Sequence, residues 1–240
     1  MSLSTKDSFR FKHFTVQQDK CTMKVGSDGV LLACWADIKS STSILDIGTG
    51  TGLIALIAAQ RNDLAQIDAV EIDQSAFEQA EENNNNSPWQ NRIRIFHSPI
   101  QDFAKISPKQ YEVIISNPPF FTGGVLSDNL DKNSVRHTIK LPHGELLSSI
   151  RKLLAPHGKF VVILPYLEGM RFVELAATYS LYCTKLTEVY AVPNKPISRL
   201  LLQFEKTTLP TEKSSLLLRN EQNEYTDIYK NLTQDFYLDF

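Results

Sequence analysis

Four consecutive residues, Asn117-Pro118-Pro119-Phe120, carry the groups needed to hold a planar amine. Such an amine is a poor nucleophile because its lone pair is delocalised, and it has two N–H donors. The side-chain oxygen of Asn117 and the backbone carbonyl of Pro118 can accept both hydrogens, while the prolines restrict the backbone. Phe120 can stack on a base. Taken alone, the tetrapeptide is also compatible with a simple strand end, because proline cannot continue a β-ladder.

A glycine-rich segment, Asp46-Ile47-Gly48-Thr49-Gly50-Thr51-Gly52, lies between a predicted strand and a predicted helix. Ligands bind at such strand ends in open parallel sheets, and glycine lets the backbone approach them closely. The dinucleotide pattern GxGxxG is not met, because its third glycine position is Leu53. The segment instead resembles motif I of the class I methyltransferases. That resemblance predicts an S-adenosylmethionine site formed by Asp46, Gly48, Thr49, Gly50 and Gly52.

Two further acids follow predicted strands. Glu71 comes 19 residues after Gly52, where a carboxylate can accept hydrogen bonds from two ribose hydroxyls. The adjacent Ile72 is assigned to the same cofactor site. Asp102 follows the next strand and is predicted to read the adenine amine of the cofactor, although a helix cap is the alternative role for it.

These residues lie on a regular alternation of strands and helices that begins at Ser43. The predicted strands are Ser43–Ile47, Ile67–Ile72, Arg92–His97, Val113–Asn117, Lys159–Leu164, Leu186–Val192 and Arg199–Glu205. The predicted helices are Leu53–Arg61, Gln74–Asn85, Pro142–Leu154 and Gly169–Tyr179. Alternation of this kind indicates an α/β fold with a seven-stranded, mostly parallel Rossmann-like sheet and helices on both faces. The last strand is expected to be antiparallel, because no helix precedes it.

One domain, residues 1–240, is expected. Residues 1–40 would form an N-terminal extension that covers the cofactor, with a helix from Val30 to Ala36 capped by Ser27 or Asp28. Residues 41–206 would form the Rossmann-like core. Residues 207–240 would form a C-terminal helical tail.

Composition limits the possible partners. The formal net charge is −2, so a nucleic-acid site must be a local patch rather than a global positive field. The three cysteines show no CxxC pattern and the five histidines no HxH or HxxxH pattern, so no metal site is expected. The apolar stretches Leu53–Ala59 and Phe160–Pro165 are too short to cross a bilayer, and no signal-peptide pattern is seen. We therefore expect no membrane association and a cytoplasmic protein.

The glycine segment, Glu71 and the tetrapeptide together resemble the N-methyltransferases with an (N/D)PP(F/Y) signature. Other segments narrow the resemblance to the bacterial tRNA1(Val) (adenine-N6)-methyltransferases, namely Met23–Leu32, Ser116–Thr122, Ala191–Phe204 and Asp235–Leu238. The resemblance implies S-adenosylmethionine-dependent N6-methylation of an adenine in tRNA, the adenine 3′ of the anticodon of a valine tRNA. The product of the cofactor would be S-adenosylhomocysteine.

The resemblance also implies roles for individual residues. The segment from Lys24 to Asp28 would close over the cofactor, and Asn117 would contact both cofactor and substrate. Arg136 and His137 follow the loop 121–132 and would meet RNA phosphates, although a solvated loop is the alternative. RNA contact is also expected for two residues that flank the turn between the last two strands, Lys195 and Arg199.

Three other functions stay open at this level. Two are enzymatic: guanine-N2 methylation of ribosomal RNA and glutamine-N5 methylation of a protein. The third is a module that binds cofactor or RNA without turnover. The oligomeric state is left open.

Overall fold

The computed structural model describes residues 7–119 and 142–239, in which ten strands and seven helices occur. The strands are β1 (Ser8–Arg10), β2 (Thr15–Gln17), β3 (Ser43–Ile47), β4 (Gln66–Glu71), β5 (Ile93–His97), β6 (Tyr111–Ser116), β7 (Leu154–Pro165), β8 (Tyr182–Tyr190), β9 (Arg199–Glu205) and β10 (Glu212–Leu217). The helices are α1 (Ser27–Trp35), α2 (Leu53–Arg61), α3 (Gln74–Asn85), α4 (Ile100–Ile106), α5 (His143–Leu153), α6 (Tyr166–Thr178) and α7 (Asp227–Thr233).

Eight strands form one sheet in the order β10-β8-β9-β7-β6-β3-β4-β5. Strand β9 is antiparallel to both of its neighbours, and every other pair in the sheet is parallel. The α/β class, the mostly parallel sheet and the antiparallel strand after β8 are therefore confirmed. The parallel strands β3, β4, β5, β6 and β7 end at the same edge of the sheet, which brings the predicted site residues together.

Both faces of the sheet are covered, which explains why its central strands are almost wholly apolar. In β3, Ile44 packs into a core shared with α1, α2 and the N-terminal hairpin β1–β2. Its neighbour Leu45 packs into a second core, shared with α4, α5 and α6. Successive side chains of a strand point to opposite faces, so a strand buried on both sides needs apolar residues at consecutive positions.

The sheet has eight strands rather than the predicted seven. Strand β10 pairs in parallel with β8 and lies in the interval 207–240, which was expected to be a helical tail. This strand is mostly exposed and polar, with only Leu216 buried, so it lacks the apolar run that marks a strand in sequence. Within the described part of this interval, α7 is the one helix, so the tail is not helical along its whole length.

Strand β7 begins at Leu154, five residues before the predicted start at Lys159, because residues 155–158 form a bulge within it. Tyr111 pairs with Leu154, and Val113 pairs with Lys159, so four residues of β7 loop out opposite a single residue of β6. A Cβ at Gly158 would lie 2.8 Å from the backbone oxygen of Tyr111, and only glycine fits this close approach.

Candidate cofactor and methyl-transfer site

The glycine segment forms the turn from β3 into α2, and its three glycines all adopt a left-handed backbone. Their φ angles are 70° at Gly48, 57° at Gly50 and 83° at Gly52, which L side chains rarely adopt. A Cβ placed on Gly48 or Gly50 would meet no atom within 4 Å, so open space lies above both. Gly52 differs, because its Cβ would lie 3.6 Å from Ala80 of α3. Two glycines therefore face space for a ligand, while the third packs the loop against a helix.

Asp46, the acid in front of the glycines, is completely buried at the end of β3. Its Oδ2 accepts a hydrogen bond of 2.5 Å from the hydroxyl of Thr49, while its Oδ1 is buried without a partner. Burial raises the pKa of this carboxyl to about 7, and the bond from Thr49 opposes the rise. The backbone N–H of Ala55 in α2 opposes the rise as well, so Asp46 is held between the glycine loop and the start of α2.

Glu71 ends β4 and organises the backbone around the loop. Its Oε2 accepts a hydrogen bond of 2.8 Å from the N–H of Gly50. Its Oε1 accepts bonds from the N–H groups of Ile72 and Asp73 at 2.8 and 3.0 Å. A carboxylate has about four acceptor positions, so these three bonds leave room for a ribose hydroxyl. The predicted ribose ligand therefore also ties the glycine loop to the start of α3.

Asn83 of α3 is a supporting residue that the sequence did not reveal. Its amide exchanges hydrogen bonds with the backbone of Gln17 in β2, at 2.8 and 2.9 Å, and donates to the carbonyl of Thr51 at 2.8 Å. It thereby joins the N-terminal hairpin to the glycine loop. In sequence, Asn83 belongs to a run of four asparagines that reads as a helix end, and no local pattern marks its long-range contacts.

The tetrapeptide begins immediately after β6. Ser116 pairs with Ile47 of β3 and its hydroxyl donates to the carbonyl of Ile47 at 3.0 Å, so Asn117 follows β6 beside the start of the glycine loop. The Oδ1 of Asn117 is buried and has no hydrogen-bond partner. Pro118 is buried and Pro119 is exposed, whereas Phe120 lies outside the described residues. The structure thus places the predicted amine acceptor next to the predicted cofactor loop.

Helix α1 contacts this asparagine through a glycine. A Cβ at Gly29 would lie 3.8 Å from Nδ2 of Asn117 and 3.2 Å from Leu53, so the first turn of α1 packs closely on the site. The helix begins at Ser27 with Gly26 as its N-cap residue, and no side chain caps it. The expectation of a later start at Val30, with Ser27 or Asp28 as the cap, is therefore wrong.

Asp28 pairs with Arg199, the first residue of β9. The Oδ2 of Asp28 lies 2.8 Å from Nε of Arg199, and both side chains are less than one third exposed. The structure thus joins a residue that was predicted to bind the cofactor to one that was predicted to bind RNA. The guanidinium of Arg199 also donates to the carbonyl of Ser198.

The other predicted site residues lie in more open positions. Asp102 is in the first turn of α4, where Pro99 is the N-cap residue, and its exposed carboxylate pairs with Lys105 at 2.8 Å. Ile72 directly follows Glu71 and its side chain is about half exposed. Lys24 precedes α1 and Lys195 lies in the turn between β8 and β9, both exposed. Arg136 and His137 lie outside the described residues.

The described parts of the chain, 7–119 and 142–239, contain neither a metal-ligand cluster nor a membrane-spanning helix. No group of three or more histidine, cysteine or acidic side chains is arranged to hold a metal ion there. No helix in these ranges is long and apolar enough to cross a membrane.

Comparison with known proteins identifies the family to which this chain is similar. Residues 22–169 match the model of the Methyltransferase small domain family. A tRNA1(Val) (adenine(37)-N6)-methyltransferase of Pectobacterium carotovorum is 42% identical over 97% of this chain and 94% of its own length. The enzyme of the same name from Histophilus somni is 41% identical over 99% of this chain and 100% of its own length.

Among solved structures, a predicted O-methyltransferase from Agrobacterium tumefaciens superposes with a TM-score of 0.69 over 87% of this chain and 96% of its own, at 16% identity. This likeness supports the fold alone. The match to the two enzymes extends over nearly the full length of both chains. The chain therefore belongs to the Methyltransferase small domain family and, within it, to the tRNA1(Val) (adenine(37)-N6)-methyltransferases.

Proposed function

We propose that this chain transfers the methyl group of S-adenosylmethionine to N6 of an adenine in tRNA, the adenine 3′ of the anticodon of a valine tRNA. The observation that carries the proposal is the position of Asn117. Its side-chain oxygen is a buried acceptor without a partner, directly beside a glycine loop with open space above it. The names of the full-length relatives support the choice of adenine 37 and of tRNA1(Val).

The reaction needs an adenine amine held in one orientation. The Oδ1 of Asn117 accepts one N–H of the amine and the carbonyl of Pro118 accepts the other, which turns the nitrogen lone pair towards the methyl group. Satisfying a buried acceptor of this kind is worth about 1–3 kcal/mol, so the substrate amine is favoured where water is excluded. No strong base is required, because the nitrogen loses a proton readily once it is methylated. Phe120, which follows Pro119, is proposed to stack on the base.

The cofactor supplies an electrophilic methyl group on a positively charged sulfur. In this chain, Gly48 and Gly50 leave space for it, and Glu71 is proposed to accept from the ribose hydroxyls. Asp46 supplies an unpaired carboxylate oxygen at the base of the loop. Ile72 and Asp102 are proposed to flank the adenine of the cofactor, and Lys24 to lie over the amino acid end. Because its substrate is tRNA, we place the enzyme in the cytoplasm.

Transfer of labelled methyl from S-adenosylmethionine to unmodified tRNA and, separately, to ribosomal RNA tests the proposal. Nucleoside analysis is expected to show N6-methyladenosine in a valine tRNA. N2-methylguanosine in ribosomal RNA would keep the methyl transfer but overturn the substrate. Cofactor binding without label in either RNA would rule out both and direct the search to protein substrates.

A further inference from the structure

Three exposed apolar side chains lie together at the start of α6. Tyr166 is 36% exposed, Leu167 70% and Met170 40%. Residues 166 and 170 lie on one helical face, and 167 and 170 are also neighbours at i,i+3 spacing, so the three form one surface, here called the α6 patch. In soluble proteins, clustered exposed apolar side chains commonly mark interaction sites, whereas isolated ones do not.

The α6 patch lies on the same edge of the sheet as Asn117. Ser116 of β6 pairs with Val162 of β7, and β7 continues for three more residues to Pro165. At about 3.3 Å per residue, Tyr166 therefore begins roughly 10–15 Å from the end of β6. A polynucleotide that delivers one base to Asn117 reaches this far with its neighbouring nucleotides.

A second tyrosine extends the patch. Arg199 of β9 pairs with Pro165 of β7 on one side and with Val189 of β8 on the other. Tyr166 directly follows Pro165 and Tyr190 directly follows Val189, so the two tyrosines lie at the same level on either side of β9. Val189 belongs to the core on the α1 side, and alternation directs Tyr190 to the α6 side. The hydrogen bond from its hydroxyl to Glu188 raises the pKa of Tyr190, and Tyr166 is close enough to add to this effect.

Two contacts hold the start of α6 in place beneath the patch. The Nε2 of His143, at the start of α5, lies 3.0 Å from Oε1 of Glu168 in the first turn of α6. A Cβ at Gly169 would lie 3.0 Å from Leu200 of β9, so the helix sits directly on the sheet. A pre-positioned aromatic surface loses little conformational entropy when it binds a ligand.

Charges of both signs surround the patch. Arg171 of α6 and Lys195 of the β8–β9 turn are exposed near the patch. Of the nearby acids, Glu168 pairs with His143 and Glu188 accepts from Tyr190, whereas Glu174 is exposed one turn beyond Met170. The feature that suits single-stranded nucleic acid is therefore the pair of tyrosines, because unpaired bases stack on aromatic side chains.

We infer that the α6 patch and Tyr190 bind unpaired nucleotides of the RNA next to the methylated adenine, with Tyr166 as the stacking residue. The inference rests on the proposed function and identifies a binding surface for its substrate. In this arrangement the RNA runs from Asn117 over the end of β7 to α6. The surface is aromatic and apolar, whereas the sequence predicts RNA contact for Arg136, His137, Lys195 and Arg199.

The test measures binding of a short, unmodified anticodon stem-loop RNA of valine tRNA to the full chain saturated with S-adenosylhomocysteine. Tyr166→Ala is expected to weaken RNA binding roughly 5- to 100-fold, the effect of losing one stacked base. Tyr166→Phe keeps the ring and is expected to bind within about two-fold of wild type on the same grounds. Ile106→Ala is the matched control, because Ile106 is an exposed apolar residue at the far end of α4.

Affinity for S-adenosylhomocysteine is expected to be equal in all four proteins, which separates RNA binding from damage to the cofactor site. Equal RNA affinity of Tyr166→Ala and Ile106→Ala would overturn the inference. So would a change of oligomeric state in Tyr166→Ala with unchanged RNA affinity, since the patch would then join two copies of the chain. If wild type bound cofactor but neither bound nor methylated the RNA, the proposed function itself would fail.

Discussion

The carboxylate of Asp28 lies 2.8 Å from Nε of Arg199, so the first turn of α1 is held by the first residue of β9. The next residue, Gly29, packs against the amide of Asn117. The ion pair is therefore linked to Asn117 through one intervening residue, Gly29. We propose that Arg199 positions α1 through this contact, because its Nε pairs with the half-buried carboxylate of Asp28.

Replacing either member of the pair tests this role. We expect Arg199→Ala and Asp28→Ala each to lower stability, and the double variant to be no less stable than the worse single one. For a partly buried pair the coupling should be about 0.5–1 kcal/mol, measured by chemical denaturation in a double-mutant cycle. The turnover number should fall in both single variants, because the packing of α1 on Asn117 is loosened.

Lys195→Ala is the matched control for Arg199→Ala, since Lys195 is exposed in the adjoining turn. It is expected to weaken RNA binding without changing stability. Weaker RNA binding in Arg199→Ala, with normal stability and turnover, would show that Arg199 binds RNA directly and would contradict the positioning role.

Asn117→Ala should remove activity while affinity for S-adenosylmethionine stays near that of wild type. Loss of one oriented hydrogen bond in the transition state typically lowers the turnover number by about 10²–10³-fold. Asn117→Asp keeps an acceptor oxygen and should retain more activity than the alanine variant. Single-turnover methyl transfer with saturating cofactor measures both, and activity of Asn117→Ala within a few-fold of wild type would refute the clamping role.

Glu71→Ala should weaken cofactor binding by about 1.5–3 kcal/mol, the value of a charge-assisted hydrogen bond. It should also destabilise the protein without cofactor, because the N–H groups of Gly50, Ile72 and Asp73 lose their acceptor. Calorimetric titration and thermal denaturation separate the two effects. Reduced stability with unchanged cofactor affinity would leave Glu71 as a support for the loop and move the ribose site elsewhere.

The stability of the protein should depend on pH through Asp46. Burial raises the pKa of this carboxyl to about 7 in the folded state, whereas in the unfolded chain it titrates near its ordinary value of 3.8. As pH rises between these values, the unfolded state loses its proton first, so folding stability falls and then levels off above pH 7.

Asp46→Asn cannot ionise and should lack this decrease. Between pH 5 and pH 8 the stability of wild type relative to this variant should fall by about 2–3 kcal/mol, measured by denaturant unfolding at constant ionic strength. Parallel stability curves for the two proteins would show that Asp46 is ionised at the lower pH and that its burial is compensated.

Much of the architecture was determined locally and could be predicted. The bounds of β3, α2, α3 and β9 were predicted to the residue, because buried strands need apolar runs and the glycine segment marks the turn from β3 into α2. The cofactor loop and Asn117 lie at strand ends, and in a parallel sheet these ends share one edge. Their proximity therefore followed from element order alone.

Other features depend on residues that are distant in the chain. Strand β10 is polar, and it forms because β8 offers it an open edge. The bond from Asn83 to Thr51 and the pair of Asp28 with Arg199 join positions 32 and 171 residues apart. Which side chain meets which across such separations is decided by sheet order and helix packing, not by spacing in the sequence. For the same reason, the sequence predicts RNA contact for Arg199, and its pairing with Asp28 of α1 is visible only in the tertiary structure.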